Sequence, residues 1–245
     1  LGSPESYFDL IVFVEEGTEI DRDAFLRQLI SIQYKRKDYD FYRGTFRAKG
    51  DTVDIFPAYE DKHAIRIEFF GDTVERIIEV DPIRGKPLRR MDKVAFYPAS
   101  HYATKPDLLK RAIASIRTEL VECLAKLHKD GYILEAQRLE QRTLYDIALL
   151  EEMGVCPGIE NYSRHIDGRS PGEPPFTLLS YFPQDYLLFI DESHVTVPQI
   201  GGMYRADVSR KQTLVDHGFR LPSAIDNRPL SFTEFEARMG QTTFV

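Results

Sequence analysis

An alternation of apolar and polar residues over positions 41–80 constrains the fold of this chain more than any other feature. Two turn signals, Gly50-Asp51 and Gly71-Asp72, interrupt the alternation. A period of two indicates strands with one buried and one solvated face, as in antiparallel sheets. We therefore expect an antiparallel β-meander here, preceded by a strand and one helix and followed by a loop over residues 83–93.

Helical periodicity marks several segments outside the meander, including stretches near residues 207–216 and 231–239. Residues 21–33 predict the single helix of the first domain, with one apolar face. Two long helices follow between residues 104 and 153, and each is ended by a glycine, Gly131 and Gly154. Long helices with a short connection predict an antiparallel helical hairpin. The fold class expected for the whole chain is α+β.

Composition limits the functions that this chain can have. The net charge of −7 over 245 residues provides no general attraction to nucleic acid, so such binding needs a local basic patch. The two cysteines, Cys123 and Cys156, have no metal-ligand spacing and suit a reducing cytoplasm. No apolar run is long enough to cross a membrane. The chain begins without methionine, which favours a fragment of a longer protein.

An apolar run at residues 186–190 is followed directly by Asp191 and Glu192. The run predicts a buried strand, and ligands of parallel α/β sheets bind beyond the carboxyl ends of such strands. One carboxylate there could hold Mg²⁺ on a nucleotide, and the second could orient water. The phosphate-binding loop of an ATPase is missing, because the only Gly-Lys pair, at residues 85–86, is followed by Pro87. An ordinary loop or helix cap is the alternative interpretation.

Several longer motifs resemble one family. The chain is similar to UvrB, the damage-recognition subunit of the bacterial excinuclease, over essentially its whole length. The motifs that carry this resemblance are Leu134 to Thr143 (LEAQRLEQRT), Gly158 to His165 (GIENYSRH), Asp191 to Thr196 (DESHVT), His217 to Ala224 (HGFRLPSA) and Asp226 to Leu230 (DNRPL).

The resemblance implies a division of the chain. Residues 1–8 would end a first motor-domain segment, and residues 9–103 would form a UvrA-interaction domain. Residues 104–175 would form the hairpin and loop beside a DNA channel. Residues 176–245 would belong to a partial helicase-like segment with the Asp-Glu-Ser-His motif.

The resemblance also implies residues that contact UvrA. They lie on the meander and just before it, where a solvated strand face is the alternative explanation of such charged patterns. Lys49 stands where the family pattern suggests arginine, and lysine lacks the bidentate fork of arginine. The implied UvrA-contacting residues are Arg36, Arg47, Lys49, Arg66 and Glu68.

For the acidic motif, the resemblance implies that Asp191 holds Mg²⁺, that Glu192 activates water, and that His194 couples nucleotide state to the motor. ATP and Mg²⁺ are thus the cofactors expected of the full-length protein, and neither is expected on this chain alone. A third set of residues would lie near DNA, with a helix-to-loop packing cluster as the alternative. That set is Glu160, Tyr162, Arg164, Phe219 and Arg220.

The leading hypothesis is a cytoplasmic repair subunit that docks UvrA and, in the full complex, meets damaged DNA and UvrC. The first alternative is a stand-alone ATPase or nuclease, which would need a complete phosphate loop or metal cluster. The second is the UvrA-binding module of a transcription-repair coupling factor, which should resemble only the first hundred residues.

Overall fold

The computed structural model describes residues 2–100 and 102–245. Leu1, in the predicted first segment, and His101, near the predicted domain boundary, lie outside the described residues. The chain divides into two compact units. One comprises residues 5–105, and the other comprises residues 106–245 with the N-terminal residues up to Pro4. The predicted α+β class is confirmed, since helices and an antiparallel sheet both form.

The first unit is built around a six-stranded sheet with strand order β2-β3-β4-β5-β6-β7, and β1 and β8 form a separate antiparallel pair. All neighbours from β3 to β7 are antiparallel, as the meander pattern predicts. The elements are α1 (Pro4–Phe8), β1 (Val12–Glu15), α2 (Arg22–Ser31), β2 (Lys35–Arg36), β3 (Thr45–Lys49), β4 (Thr52–Phe56), β5 (Ala64–Phe70), β6 (Thr73–Val80), β7 (Pro87–Met91) and β8 (Lys93–Phe96).

One face of the sheet is covered by α2 and carries the main core. Phe25 and Leu29 of α2 are fully buried against apolar residues of the central strands, such as Val53 and Ile67. The helix begins where the Asp21 side chain accepts a hydrogen bond from the backbone N–H of Ala24. The opposite sheet face carries charged side chains beside a small second apolar cluster of Phe56, Ala64 and Val80.

Two edge strands differ from the sequence-based expectation. The predicted loop at 83–93 is wrong in part, because β7 pairs there with β6, with Ile78 opposite Arg90. Pro87 begins this edge strand, a position at which the missing N–H costs no ladder bond. At the other edge, β2 is only two residues long and runs parallel to β3.

The second unit contains the predicted helical hairpin, two long helices joined at Gly131. Gly154 ends the second helix in the left-handed conformation, with φ of +71°. Short helices follow. The unit ends with two parallel strands, and a long helix lies between them along the chain. The elements are α3 (Pro106–Lys129), α4 (Ile133–Met153), α5 (Ser163–Asp167), β9 (Leu187–Ile190), α6 (Ser193–Asp216), α7 (Phe232–Arg238) and β10 (Gln241–Phe244), with 3-10 helices at Ile159–Tyr162, Leu178–Tyr181 and Pro222–Asp226.

The apolar run at residues 186–190 forms a strand as predicted, but the strand is not fully buried. β9 exposes 61% of Leu187 and 66% of Phe189, and only Ile190 is buried. The reason is that, in the part of the chain that the structure describes, β9 pairs with β10 alone, and a two-stranded pair cannot cover it as a wide parallel sheet would. Among the described residues, no helix combines the length and apolar character needed to cross a membrane.

Candidate docking face and acidic motif

Three neighbouring strands bring two arginines and one aspartate side by side on the polar sheet face. In the strand register Arg47 lies opposite Asp54, and Asp54 lies opposite Arg66. Side chains of directly paired residues point to the same face of a sheet. The alternation that predicted the strands therefore also places these three groups in one row.

Asp54 is the buried centre of this row, with 5% of its surface exposed. Its carboxylate accepts hydrogen bonds from Arg66 Nε at 2.7 Å and Nη2 at 3.1 Å, and from Arg47 Nε at 3.0 Å. The hydrogen bond to Asp54 raises the pKa of Arg66 above its ordinary value, although burial acts the other way. The pairing thus fixes both guanidinium groups against a buried carboxylate.

A concave surface adjoins the row. The guanidinium of Arg47 also lies over the Phe41 ring, 4.4 Å from its centroid, which is cation–π geometry. The Phe41 ring packs in turn against Phe56. The cavity has a volume of about 600 Å³ and is lined by Asp38, Tyr39, Arg47, Ala48, Lys49, Thr52, Asp54 and Arg66.

The structure places the other UvrA-contacting residues implied by the resemblance around this cavity. Lys49 lines it, and in the next row of the sheet Glu68 pairs with Arg76 at 3.0 Å. Arg36 lies on the edge strand β2, half-exposed, 3.5 Å from Asp38. Arg47, Lys49 and Arg66 are therefore gathered, Glu68 is one row away, and Arg36 is at the rim.

Sequence reasoning missed Asp54. The signal was present, because a carboxylate in the alternating run 52–56 stands at a polar-face position. Its partners could not be named without the strand register, which brings Arg47 and Arg66 to it from positions 7 and 12 residues away.

The acidic motif joins the end of β9 to the start of α6. Asp191 Oδ1 accepts a hydrogen bond from the Glu192 N–H at 2.9 Å. Glu192 has a φ of +47°, a left-handed conformation that is uncommon for residues other than glycine. His194 Nδ1 lies 3.5 Å from the Glu192 carboxylate, and both side chains are largely exposed. All three therefore lie at a strand-to-helix turn, close together and open to solvent.

The residues implied to lie near DNA fall into two places in the second unit. Tyr162 is buried and donates a hydrogen bond to Asp146 at 2.9 Å, and burial raises its pKa strongly. Arg164 is mostly buried between Glu119, at 3.0 Å, and Asp226, at 2.8 Å. These two side chains therefore anchor the short helices after the hairpin to α3, α4 and the 3-10 helix at Pro222–Asp226.

The other three members of that set are more accessible. Glu160 is exposed on a 3-10 helix. Phe219 is 44% exposed, and the Arg138 guanidinium lies 4.3 Å from its ring centroid. Arg220 donates a hydrogen bond to the Phe219 carbonyl. The structure thus brings together Phe219, Arg220 and the unpredicted Arg138.

A buried polar network in the second unit was also missed. Glu119 accepts hydrogen bonds from the Ser223 N–H at 2.8 Å and from Arg164, and its second oxygen lies 2.7 Å from His165 Nε2. His165 Nδ1 lies 2.8 Å from Ser115 Oγ. The sequence signal was a carboxylate three residues after Ile116, on the apolar stripe of α3.

Comparison with known proteins identifies the chain's relatives. A family model described as the UvrB interaction domain matches residues 12–102, and one described as the UvrB third helical domain matches residues 107–168. Over all 245 residues the chain is 60% identical to UvrABC system protein B of Syntrophotalea carbinolica, 58% to that of Geobacillus kaustophilus and 56% to that of Bacillus subtilis. The chain is thus similar to UvrB proteins along its whole length. It spans 37% of the length of each of these relatives.

The matched family models include the arginine–aspartate row of the sheet but not the acidic motif. The Arg47–Asp54–Arg66 row lies inside the residues matched by the UvrB interaction domain. The acidic motif lies after both matched regions, although the full-length identity to UvrB relatives includes it. Among the described residues, no group of three or more His, Cys, Asp or Glu side chains is arranged to hold a metal ion by itself.

Proposed function

We propose that this chain docks UvrA, as part of the damage-recognition subunit of bacterial nucleotide excision repair. The observation that carries the proposal is the row of Arg47, Asp54 and Arg66 on an open sheet face, within residues matched by a UvrB interaction domain. Fixed charged groups on a concave face suit a protein partner, because ion pairs steer association and set register. The match over all 245 residues disfavours the coupling-factor alternative, for which we expected resemblance only in the first hundred residues.

The docking proposal is tested best at Arg36. Reversing Arg66 would set a glutamate against buried Asp54 and disturb the sheet as well as the surface. Arg36 is half-exposed, and among the described residues its side chain pairs only with Asp38, at 3.5 Å. Arg36→Glu therefore changes the surface with little effect on folding. We expect weaker UvrA binding and slower association, measured by surface plasmon resonance, with the slowing reduced at high salt.

Arg27→Glu is the matched control. It makes the same charge change on α2, which covers the opposite face of the sheet, and its side chain is 73% exposed. If both variants lose affinity equally, net charge rather than this face governs binding. If the unaltered chain does not bind UvrA, the proposed function is wrong.

Asp191, Glu192 and His194 are proposed to form the magnesium and water side of an ATP site in the longer proteins of this family. Carboxylate oxygens suit Mg²⁺, which proteins usually hold through one or two carboxylates and the nucleotide phosphates. Asp191 fits this role, because its carboxylate stands beyond a parallel strand and only Oδ1 is used locally. When bound, Mg²⁺-ATP supplies the phosphoryl group. Glu192 would orient the attacking water. His194, whose Nδ1 lies 3.5 Å from the Glu192 carboxylate, would respond to movement of the Glu192 side chain.

This half-site should be inactive in the present chain. Two exposed carboxylates without a phosphate-binding loop mostly repel ATP. Isothermal titration should show no tight ATP binding and a phosphate-release assay no turnover. Glu192→Gln in a full-length relative should abolish turnover and spare nucleotide binding. Robust hydrolysis by this chain, lost in Glu192→Gln, would instead support a stand-alone ATPase.

Phe219, Arg220 and Glu160 are proposed to lie near the path of damaged DNA in the assembled complex, in which UvrC also acts. An arginine beside an exposed aromatic ring can meet a phosphate and a base face. With a net charge of −7, the chain alone should bind duplex DNA with a Kd of about 10⁻⁴ M or weaker. Much tighter binding, measured by fluorescence anisotropy, would contradict the expectation that this chain meets DNA only in the assembled complex.

A further inference from the structure

We propose that Asp54 is a positioning residue that holds Arg47 and Arg66 as a rigid receptor for a carboxylate of the partner protein. The inference rests on the docking function proposed above and identifies the chemistry that docks. Asp54 is 5% exposed at the centre of the row, so it acts through the arginines and has almost no surface to offer a partner.

The hydrogen bonds to Asp54 use the same two atoms of each arginine. Arg66 donates from Nε and Nη2, and Arg47 approaches with Nε at 3.0 Å and Nη2 at 2.9 Å. Within the part of the chain that the structure describes, neither Nη1 group has a hydrogen-bond partner. The Nε and Nη2 edge of each guanidinium is therefore fixed on Asp54, while the Nη1 N–H groups remain free to donate to a partner.

Neighbouring groups restrict the arginines further. The Phe41 ring covers one face of Arg47, and strand pairing fixes the backbone of all three residues. Arg47 and Arg66 side chains remain 30% and 24% exposed, enough to be reached from the cavity. Fixed donors lose little conformational entropy on binding, which favours recognition of a planar carboxylate.

The charge of the cavity favours an anionic occupant. Its charged lining residues are Arg47, Lys49 and Arg66 against Asp38 and Asp54, which leaves one net positive charge. Tyr39, which is 98% exposed, stands at the same cavity and adds an aromatic surface. We therefore assign the occupant as an Asp or Glu side chain in an acidic segment of UvrA.

The sign of the Asp54→Asn effect separates positioning from simple attraction. Removing a negative charge makes the face more positive, so attraction alone predicts tighter binding of an acidic segment. Loss of the clamp frees both guanidinium groups to turn into solvent, so positioning predicts weaker binding. We expect the affinity for UvrA to fall about tenfold or more.

The experiment is a double-mutant cycle with this chain and UvrA, read by isothermal titration, with thermal unfolding recorded for every variant. Arg47→Ala should weaken binding less in the Asp54→Asn background than in the unaltered chain, because the clamp is already lost. Asp54→Glu, which keeps the carboxylate, should retain most of the affinity. Glu79→Gln is the matched control, since Glu79 also pairs with two groups, Arg89 and His63, and should change affinity less than twofold.

Unchanged or tighter binding by a folded Asp54→Asn variant would overturn the inference, as would full additivity in the cycle. Titration of the arginine Nε–H signals with a hexaglutamate peptide separates this result from failure of the docking proposal. If UvrA does not bind but the peptide shifts Arg47 and Arg66 signals only when Asp54 is present, the receptor stands and the partner is wrong. If the peptide leaves these signals unmoved, the receptor is wrong.

Discussion

Glu119 Oε2 lies 2.7 Å from His165 Nε2, although 46 positions separate the two residues in the sequence. Burial alone would raise the pKa of the Glu119 carboxyl. Hydrogen bonds from His165 and the Ser223 N–H, with the nearby charge of Arg164, instead hold that pKa below its ordinary value of 4.5. The ionised carboxylate therefore ties α3 to α5 and to the 3-10 helix at Pro222–Asp226.

A depressed carboxyl pKa stabilises the fold above the unfolded value, and this contribution is lost as the pH falls through the folded value. Glu119→Gln should lower the free energy of unfolding at neutral pH by about 2–3 kcal/mol. It should also flatten the acid dependence of stability below about pH 4.5. Urea denaturation across this pH range is the measurement. Glu151→Gln, at a half-exposed pair with Arg117, is the control and should show neither effect.

Gly218 should not tolerate a side chain. Its φ is +67°, and a Cβ atom there would overlap the backbone carbonyl of Glu135 on α4. Gly218→Ala should cost about 3 kcal/mol or more, from backbone strain and overlap together. Gly131→Ala is the control, because Gly131 has a φ of +82° but open space around it. This variant should show the cost of backbone strain alone, a loss of about 1 kcal/mol in the free energy of unfolding. Equal melting temperatures for the two variants would contradict the close approach.

Tyr34 should titrate late and stabilise the sheet domain. Its hydroxyl donates to the Tyr97 carbonyl and accepts from the Ala58 N–H, each at 3.1 Å, and burial raises its pKa to about 12. The neutral form is the stable one, so its contribution is full below pH 10 and is lost as the pH rises through 12. Tyr34→Phe should cost about 1–3 kcal/mol in thermal unfolding, because two part-buried backbone groups lose their hydrogen-bond partner. Tyr39→Phe, at a 98% exposed position, should cost nothing measurable.

The exposed strand β9 should make the second unit the less protected one. Leu187 and Phe189 are mostly solvent-facing, and a two-stranded pair is marginal by itself. We expect amide exchange over residues 175–245 to be faster than over residues 9–103, and Phe189→Lys to reduce self-association in sedimentation experiments. Ile83→Lys, at a 93% exposed position of the first unit, is the control. Equal protection in a clean monomer would refute this expectation.

Local patterns explain which parts of the fold could be predicted. Strands β4 and β5 were predictable because alternation and flanking Gly-Asp turns are encoded by adjacent residues. Strand β7 was not, because the Pro- and Arg-rich run from Pro87 to Arg90 resembles a loop, and its pairing depends on β6. The partners of Asp54 and Glu119 were equally hidden, since each network joins elements distant in sequence. A five-residue apolar run could not reveal how many strands would flank β9.

The two edges of the six-stranded sheet decide how a partner can bind it. β2 is two residues long, and β7 begins with Pro87 and carries two exposed arginines, Arg89 and Arg90. Neither edge is a good template for a strand added by a partner. The edge at β2 offers few main-chain hydrogen-bond donors, and the edge at β7 is blocked by a proline and by charged side chains. A partner must then recognise the side chains of the sheet face that carries Asp54. Single substitutions on that face could therefore change the partner while the hydrogen bonds between the strands stayed intact.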